Sequence, residues 1–389
     1  MKRMICMLLL LTLLCACSND EVPVYQQETI ATQPTTEPIS VSDPKLPDGE
    51  SMLHLNTLNM QYQTTGSLRY FDEELQKWSS FCTKGDCAHY DESCPAWVAE
   101  GNVRIAVKDG ICYYVDTDNS SYGLQYFDFC ALNLDTLERK SYFKVQAQEN
   151  ERIFLGNAAL CGDKAILNYS IQADEALTMQ QYIQVLDLQT EKIITVMNRE
   201  IQNGEVYEIW GMNESHIIVS YLHTGMNESF AANESNYNGL PNHVEFMMDQ
   251  HRWVLLEFPI QENATWSEQV AEYVAGSDLR LFNHSNFYRG TMYYVLNDSV
   301  RGYDLKEHKN ARIFEQKGIV YMSCLDGKIL YLTDENRSFS FDLESGTTQE
   351  IKQTEWFPIA ESENYFYCKK VSAGQFSESS CIAKSEYYS

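Results

Sequence analysis

The sequence predicts an all-β fold, and within that class a single β-propeller built from four-stranded antiparallel blades. Three observations carry the prediction. Tyrosine and phenylalanine are abundant, at 25 and 17 of 389 residues, while residues of high helix propensity rarely recur with a 3.6-residue period. A turn followed by an aromatic or aliphatic strand recurs six times: "KDGICYYV" from Lys108, "CGDKAILNY" from Cys161, "MNESHIIVSY" from Met212, "YRGTMYYVL" from Tyr288, "LDGKILYLT" from Leu325 and "SENYFYCKK" from Ser362. A second signal alternates with it, a strand that ends in an acidic or amide residue and turns. It falls at Asp72, Asn133, Asp187, Asp304 and Asp342, with weaker copies at Glu257 and Ala383.

The chain opens with Lys2 and Arg3 ahead of an apolar run, Met4 to Leu14, that is too short for a permanent membrane span and reads as a signal peptide over 1–16. Leu14-Cys15-Ala16-Cys17 resembles the lipobox of bacterial lipoproteins. That resemblance implies cleavage after Ala16 and a lipid on Cys17, which would tether the protein to the outer face of the cell membrane. An ordinary secretory signal with an incidental Cys17 is the plainer alternative. Residues 17–50 are rich in Thr, Glu, Gln and Pro and too poor in large apolar side chains to fold. As a flexible tether this segment spans about 30 Å.

Residues 51–389 are left for the propeller. The seven acidic or amide marks lie 38 to 70 residues apart, and about 40–50 residues is usual for a four-stranded blade. In this register one blade runs through an inner strand at Val103 to Val107, a second at Ile111 to Asp116, a third at Leu124 to Leu134 and an outer strand at Lys140 to Val145. Seven marks predict seven blades. Only "MLHLNTLNMQYQ" precedes Asp72 as a source of inner strands, so six blades, or a ring closed by mixing N- and C-terminal strands, are alternatives. A two-domain β-sandwich is the competing architecture. The two long intervals locate two insertions, a Cys/His loop over 82–97 and a long loop over 222–251 between the second and third strands of the fourth blade.

The formal charge of −26 becomes −28 once Lys2 and Arg3 leave with the signal. Such a chain repels nucleic acid and anionic headgroups, which excludes both as expected partners. Nine cysteines fall in the folded part, an odd number scattered without a disulfide framework, which points to unpaired thiols and a reducing or anaerobic niche. Asn-X-Ser/Thr triplets such as Asn119-Ser120-Ser121 are ordinary in a chain this rich in Asn and Ser, and with a lipobox they do not read as glycosylation sites.

The stretch "FCTKGDCAHYDESC" from Phe81 offers the ligands of a zinc site in Cys82, Cys87, His89 and Cys94. It follows the outer strand of the first blade, Trp78 to Phe81, so it is a blade-to-blade loop in need of a staple. A disulfide between two of the three cysteines, a structural Cys₃His zinc site and an unlinked loop all remain open; each makes it a clasp or a bare loop rather than an active site.

Together, Cys17, the polar linker, the cluster Cys82, Cys87, His89 and Cys94-Pro95-Ala96, and the six turn-strand repeats resemble a group of bacterial β-propeller lipoproteins of gut clostridia and their relatives. The resemblance covers most of the chain. It implies a scaffold and an envelope location, and no particular activity.

No phosphate-cradling glycine loop, Gly-x-Ser-x-Gly elbow or His-Glu-x-x-His helix is present. The recurring Asp72, Asp187, Asp304 and Asp342 are expected to bond their own turns rather than do chemistry. His223, His243 and His251 lack a spacing that would gather them on a metal. Asp118, Tyr122, Tyr237, Asn297, Asp334 and Arg337 belong to loops expected on one face of the ring, where they could hold a sugar or Ca²⁺, although Asp and Asn also simply make good turns. Three functions follow. The first and preferred one is a non-catalytic module that binds an envelope glycan, peptide or protein. The others are an extracytoplasmic polysaccharide hydrolase or lyase, and a metal- or redox-linked envelope protein.

Overall fold

The run Ile111–Thr117 is buried at almost every position, a pattern that requires cover on both faces of the strand. The run Arg139–Gln146, by contrast, is exposed along most of its length. This gradient from buried to exposed strands within one sheet is what radial stacking produces.

The computed structural model describes most of residues 52–388; 1–51, 56–61, 99–103, 119–122, 224–250, 275–285, 316–318, 326–328, 334–337 and 352–354 are the longer stretches outside it. All described residues belong to one compact unit, Thr36–Ser389. After β1 (Met52–Leu55), the first sheet contains β2 (Tyr62–Thr64), β3 (Leu68–Asp72) and β4 (Lys77–Ser80). The second contains β5 (Arg104–Lys108), β6 (Ile111–Thr117), β7 (Tyr126–Asn133) and β8 (Arg139–Gln146), and the third β9 (Glu151–Cys161), β10 (Lys164–Ala173), β11 (Thr178–Asp187) and β12 (Ile193–Gln202). In the fourth are β13 (Glu205–Met212), β14 (His216–His223), β15 (His251–Pro259) and β16 (Ser267–Val274), and in the fifth β17 (Asn286–Tyr288), β18 (Thr291–Leu296), β19 (Ser299–Asp304) and β20 (Lys309–Glu315). The sixth has β21 (Tyr321–Leu325), β22 (Ile329–Thr333), β23 (Ser338–Asp342) and β24 (Thr348–Glu350); the seventh has β25 (Trp356–Glu361), β26 (Tyr365–Ser372) and β27 (Gln375–Ala383), followed by the short helix α1 (Lys384–Tyr387).

Every sheet is an antiparallel meander, and consecutive sheets share cores. Leu68 and Phe81 meet Val107 and Tyr114 between the first and second sheets, and Phe127 and Phe129 meet Ile153 and Leu167 between the second and third. Val185 and Val196 meet Ile209 and Val254 at the next junction, Trp210 and Trp253 meet Met292 and Tyr294 at the one after, and Val295 and Val300 meet Phe339 and Phe341 after that. The Ser323 hydroxyl donates to the Pro358 carbonyl at 2.6 Å between the sixth and seventh sheets. The last sheet then reaches the first: the Tyr367 ring stands edge-on to Phe71 at 6.3 Å, and its hydroxyl donates to Glu73 at 2.8 Å. The chain is a single all-β propeller.

Among the described residues five sheets hold the four strands of a complete blade, while the first and last hold three, so the expectation of seven four-stranded blades is met only in part. The strands expected to close the ring by mixing chain ends do not do so among the described residues: the first sheet contains only N-terminal residues and the last only C-terminal ones. β1 instead pairs with β9, Met52 opposite Cys161 through Leu55 opposite Ala158. The physical reason is that the free edge of β9 offers unpaired backbone groups, and Leu55 is buried there in the core of the second and third sheets.

The marks Asp72, Asn133, Asp187, Asp304, Asp342 and Ala383 each close the third strand of a blade register, and Glu257 lies within one. In the second sheet the expected boundaries shift slightly. β7 begins at Tyr126 because Leu124 leaves to bridge Ile153 of the third sheet, and Val103 lies outside the described residues. Of the long insertion, 224–250 lie outside the described residues, between β14 and β15.

A partly buried position of β13 carries an acid. Glu208 alternates along β13 with Tyr207 and Ile209, which face the third sheet, so its side chain turns toward the fourth–fifth junction with Trp210. Burial pushes its carboxyl up to about 7, only partly offset by the neighbouring Trp210 indole. A carboxyl raised above its unfolded value stabilises the fold fully below about pH 4.5, and that contribution is lost as pH rises through about 7. Glu208→Gln is therefore expected to flatten the pH dependence of stability between about pH 5 and 8 and to raise stability at pH 8, by at most ~3 kcal/mol, measured by urea unfolding at each pH.

Candidate metal centre

The loop after β4 is held at its root by one residue of β3. The Phe81 amide donates to the Leu68 carbonyl at 3.1 Å, and the Leu68 amide donates to the Ala96 carbonyl at 2.7 Å, so the chain leaves and returns on the two sides of Leu68. An isolated bridge between Ser67 and Trp97 continues the return, and Arg139 of the second sheet donates to the Trp97 carbonyl at 2.9 Å. Phe81, Cys82, Cys94, Ala96 and Val98 are all buried in the first–second junction.

Between these anchors the loop makes tight turns. The Cys87 amide donates to the Lys84 carbonyl at 3.1 Å and the Cys94 amide to the Asp91 carbonyl at 3.0 Å. Asp91 Oδ1 accepts from the Ser93 hydroxyl at 2.5 Å and from the Ser93 amide at 2.9 Å, which together hold its carboxyl below the usual range. His89 sits in the left-handed region at φ 60°, a conformation that costs energy for any residue with a Cβ and persists only where the surroundings fix it.

These turns bring Cys82, Cys87, His89 and Cys94 together: one ligand atom from each lies within 4.8 Å of the others. With Zn–S near 2.3 Å and Zn–N near 2.0–2.1 Å, tetrahedral geometry requires S···S of about 3.8 Å and S···N of about 3.5 Å. Cys94 Sγ and His89 Nδ1 are 3.5 Å apart. Burial, with Arg69 nearby, lowers the His89 imidazole and so favours the neutral form that can ligate. Burial pushes the Cys82 thiol up and the Cys94 thiol up to about 12, an order that a bound cation would invert by holding both as thiolates. Cys82, Cys87 and Cys94 are free thiols. The donor set fits zinc or a similar thiophilic cation. With four protein ligands it is a closed site suited to structure and not to catalysis at the metal.

Of the residues singled out for a ligand on the ring face, Asp118 alone is among the described residues. Asp118 Oδ1 accepts from the Gln125 and Tyr126 amides at 2.8 and 3.3 Å, so it closes the β6–β7 connection as a turn residue. Tyr122, Tyr237, Asn297, Asp334, Arg337 and the lipidation residue Cys17 lie outside the described residues, as does His243. His223 ends β14 and His251 begins β15. The contribution of Leu68 and Arg69 to the loop left no local signal in the sequence, because they act from the preceding strands of the sheet.

No protein-family model matches the chain, and no curated protein sequence matches it. Among solved structures, the β-propeller domain of the trilobed protease of Pyrococcus furiosus overlays with a TM-score of 0.40 at 11% identity, covering 85% of this chain and 93% of that one. Dipeptidyl peptidase 4 of Porphyromonas gingivalis overlays at 0.44 and 9% identity, over 84% and 58%. An α-L-arabinofuranosidase of Fusarium graminearum overlays at 0.37 and 8% identity, over 74% and 94%. These are loose overlays; the propeller follows from the strand order and junctions described above.

Cys94→Ser in the full chain is expected to weaken zinc binding by more than the ~10–100-fold typical of outer-shell changes, measured by competition with a chromophoric chelator. The melting temperature of the wild type should fall on addition of that chelator, and that of Cys94→Ser should not respond.

Proposed function

We propose that this chain is a lipid-anchored, extracytoplasmic β-propeller that acts as a non-catalytic binding module at the cell envelope, with a structural zinc ion at Cys82, Cys87, His89 and Cys94. The first and last sheets count as the sixth and seventh blades of its ring. Cys17 carries the lipid, residues 18–50 form the tether, and the domain stands at the outer face of the cell membrane, as in the propeller lipoproteins it resembles. No helix among the described residues is long and apolar enough to cross a membrane.

The observation that carries this reading is topological. In an antiparallel meander the connections between second and third strands emerge on the same side as those between a fourth strand and the next first strand. The Cys/His loop is of the second kind, after β4, and the connection that Asp118 closes between β6 and β7 is of the first kind. A loop clasped by metal thus lies on the side of the ring where β14 ends and β15 begins, which suits a platform for a glycan, peptide or protein ligand.

Two measurements test the reading. Cys17→Ala should move the protein from the membrane to the soluble fraction in its native host. The full chain incubated with isolated envelope polysaccharide should be retained on it without releasing new reducing ends; release of reducing ends would establish the hydrolase instead, and fractionation of the Cys17→Ala chain with the membrane would overturn the lipid anchor.

A further inference from the structure

One turn recurs at the end of the third strand in four sheets. Asn133, Asp187, Asp304 and Asp342 each accept two backbone N–H groups from residues two and three further on, at 2.7–3.1 Å. The fourth residue on then adopts a left-handed backbone: Leu137 at φ 59°, Glu191 at 58°, His308 at 51° and Gly346 at 68°. Glycine suits that position best, and the sixth sheet supplies it. The turn therefore gives no reason for a histidine in the fifth sheet.

The His308 imidazole has a different engagement. Its Nδ1 lies 3.0 Å from Oε2 of Glu257, a residue of β15 in the neighbouring fourth sheet whose side chain is only 6% exposed. The other oxygen of the same carboxylate lies 4.0 Å from Nδ1 of His216, at the start of β14. Both imidazoles are more than a third exposed, so protons reach them while the carboxylate stays sheltered. The Tyr303 hydroxyl is 3.2 Å from His308 Nδ1, and the Ser215 hydroxyl 2.9 Å from His216 Nδ1. A metal does not explain the group: among the described residues only the cysteine loop gathers three or more ligand atoms within 4.8 Å.

We infer that Glu257, His308 and His216 form a proton-operated clamp across the junction of the fourth and fifth sheets. With the imidazoles protonated, each oxygen of the sheltered carboxylate faces a cation. With both neutral, the carboxylate keeps only the N–H of His308, donated from Nδ1, and the junction opens more easily. The contact across the junction is thus strongest when the imidazoles carry their protons and weakest when both are neutral. The other titratable groups at this junction have separate roles. Burial and the Glu257 charge keep the Tyr303 hydroxyl protonated, Asp304 is bound to its own turn, Glu307 pairs outward with Lys309, and Glu208 faces the junction from β13.

The test is hydrogen exchange of the β15 and β19 amides in the full chain at pH 5.5 and 7.5, corrected for intrinsic exchange, together with an NMR titration of the histidine Cε1–H signals. His308→Gly is the decisive variant because glycine fits the left-handed turn. In Glu208→Gln, protection of these amides should be several-fold higher at pH 5.5; adding His308→Gly to that variant should remove the difference, and Glu257→Gln should shift the His308 titration to lower pH. Equal pH dependence of protection in Glu208→Gln with and without His308→Gly, or a His308 titration unmoved by Glu257→Gln, would overturn the clamp.

Discussion

A four-stranded sheet whose inner strands are apolar on both faces cannot exist alone, and each sheet of this protein is stable only because its two faces are covered by its neighbours. Completely buried side chains such as Phe81, Phe127, Trp253 and Tyr294 sit at these junctions, each contributing on the order of 1.5–3 kcal/mol by burial. A ring built this way has one vulnerable place, where the ends of the chain meet. Among the described residues the contact there includes Tyr367 with Phe71 and Glu73, and two three-stranded sheets stand at the junction instead of one sheet completed by both chain ends.

The cysteine loop is placed where that vulnerability begins. It leaves and rejoins the first sheet around Leu68 and contributes Phe81, Ala96 and Val98 to the junction with the second sheet. A loop of this length without a core of its own loses much entropy on ordering. A cation bound by four of its side chains would offset that loss and fix the edge of a sheet that holds three strands among the described residues. The left-handed His89 and the two turns ending at Cys87 and Cys94 are the local means by which sequence becomes coordination geometry.

Much of this architecture was legible in the sequence because it depends on short-range periodicity and turn chemistry. The Asp and Asn that bond their own turns mark third strands whatever happens elsewhere in the chain, and Cys82, Cys87, His89 and Cys94 lie close enough in sequence to suggest a common site. What was not legible depends on contacts between sheets. β1 joins β9 over a separation of about a hundred residues for the sake of an unpaired edge, and nothing local distinguishes it from an inner strand of the first sheet. Glu208 is an ordinary Glu in a strand until the fold partly buries it beside Trp210. Glu257 and His308 meet only because their sheets are neighbours. Asp118 bonds amides that lie just downstream of it, those of Gln125 and Tyr126.

The central claim, that the loop is clasped by a metal and not by sulfur, is tested most directly by counting zinc and reactive thiols in the denatured full chain, with and without chelator. One zinc per chain, with Cys82, Cys87 and Cys94 all reactive toward a thiol reagent only once the metal is removed, is the predicted result. Protein without zinc in which two of these three cysteines are joined in a disulfide would contradict it.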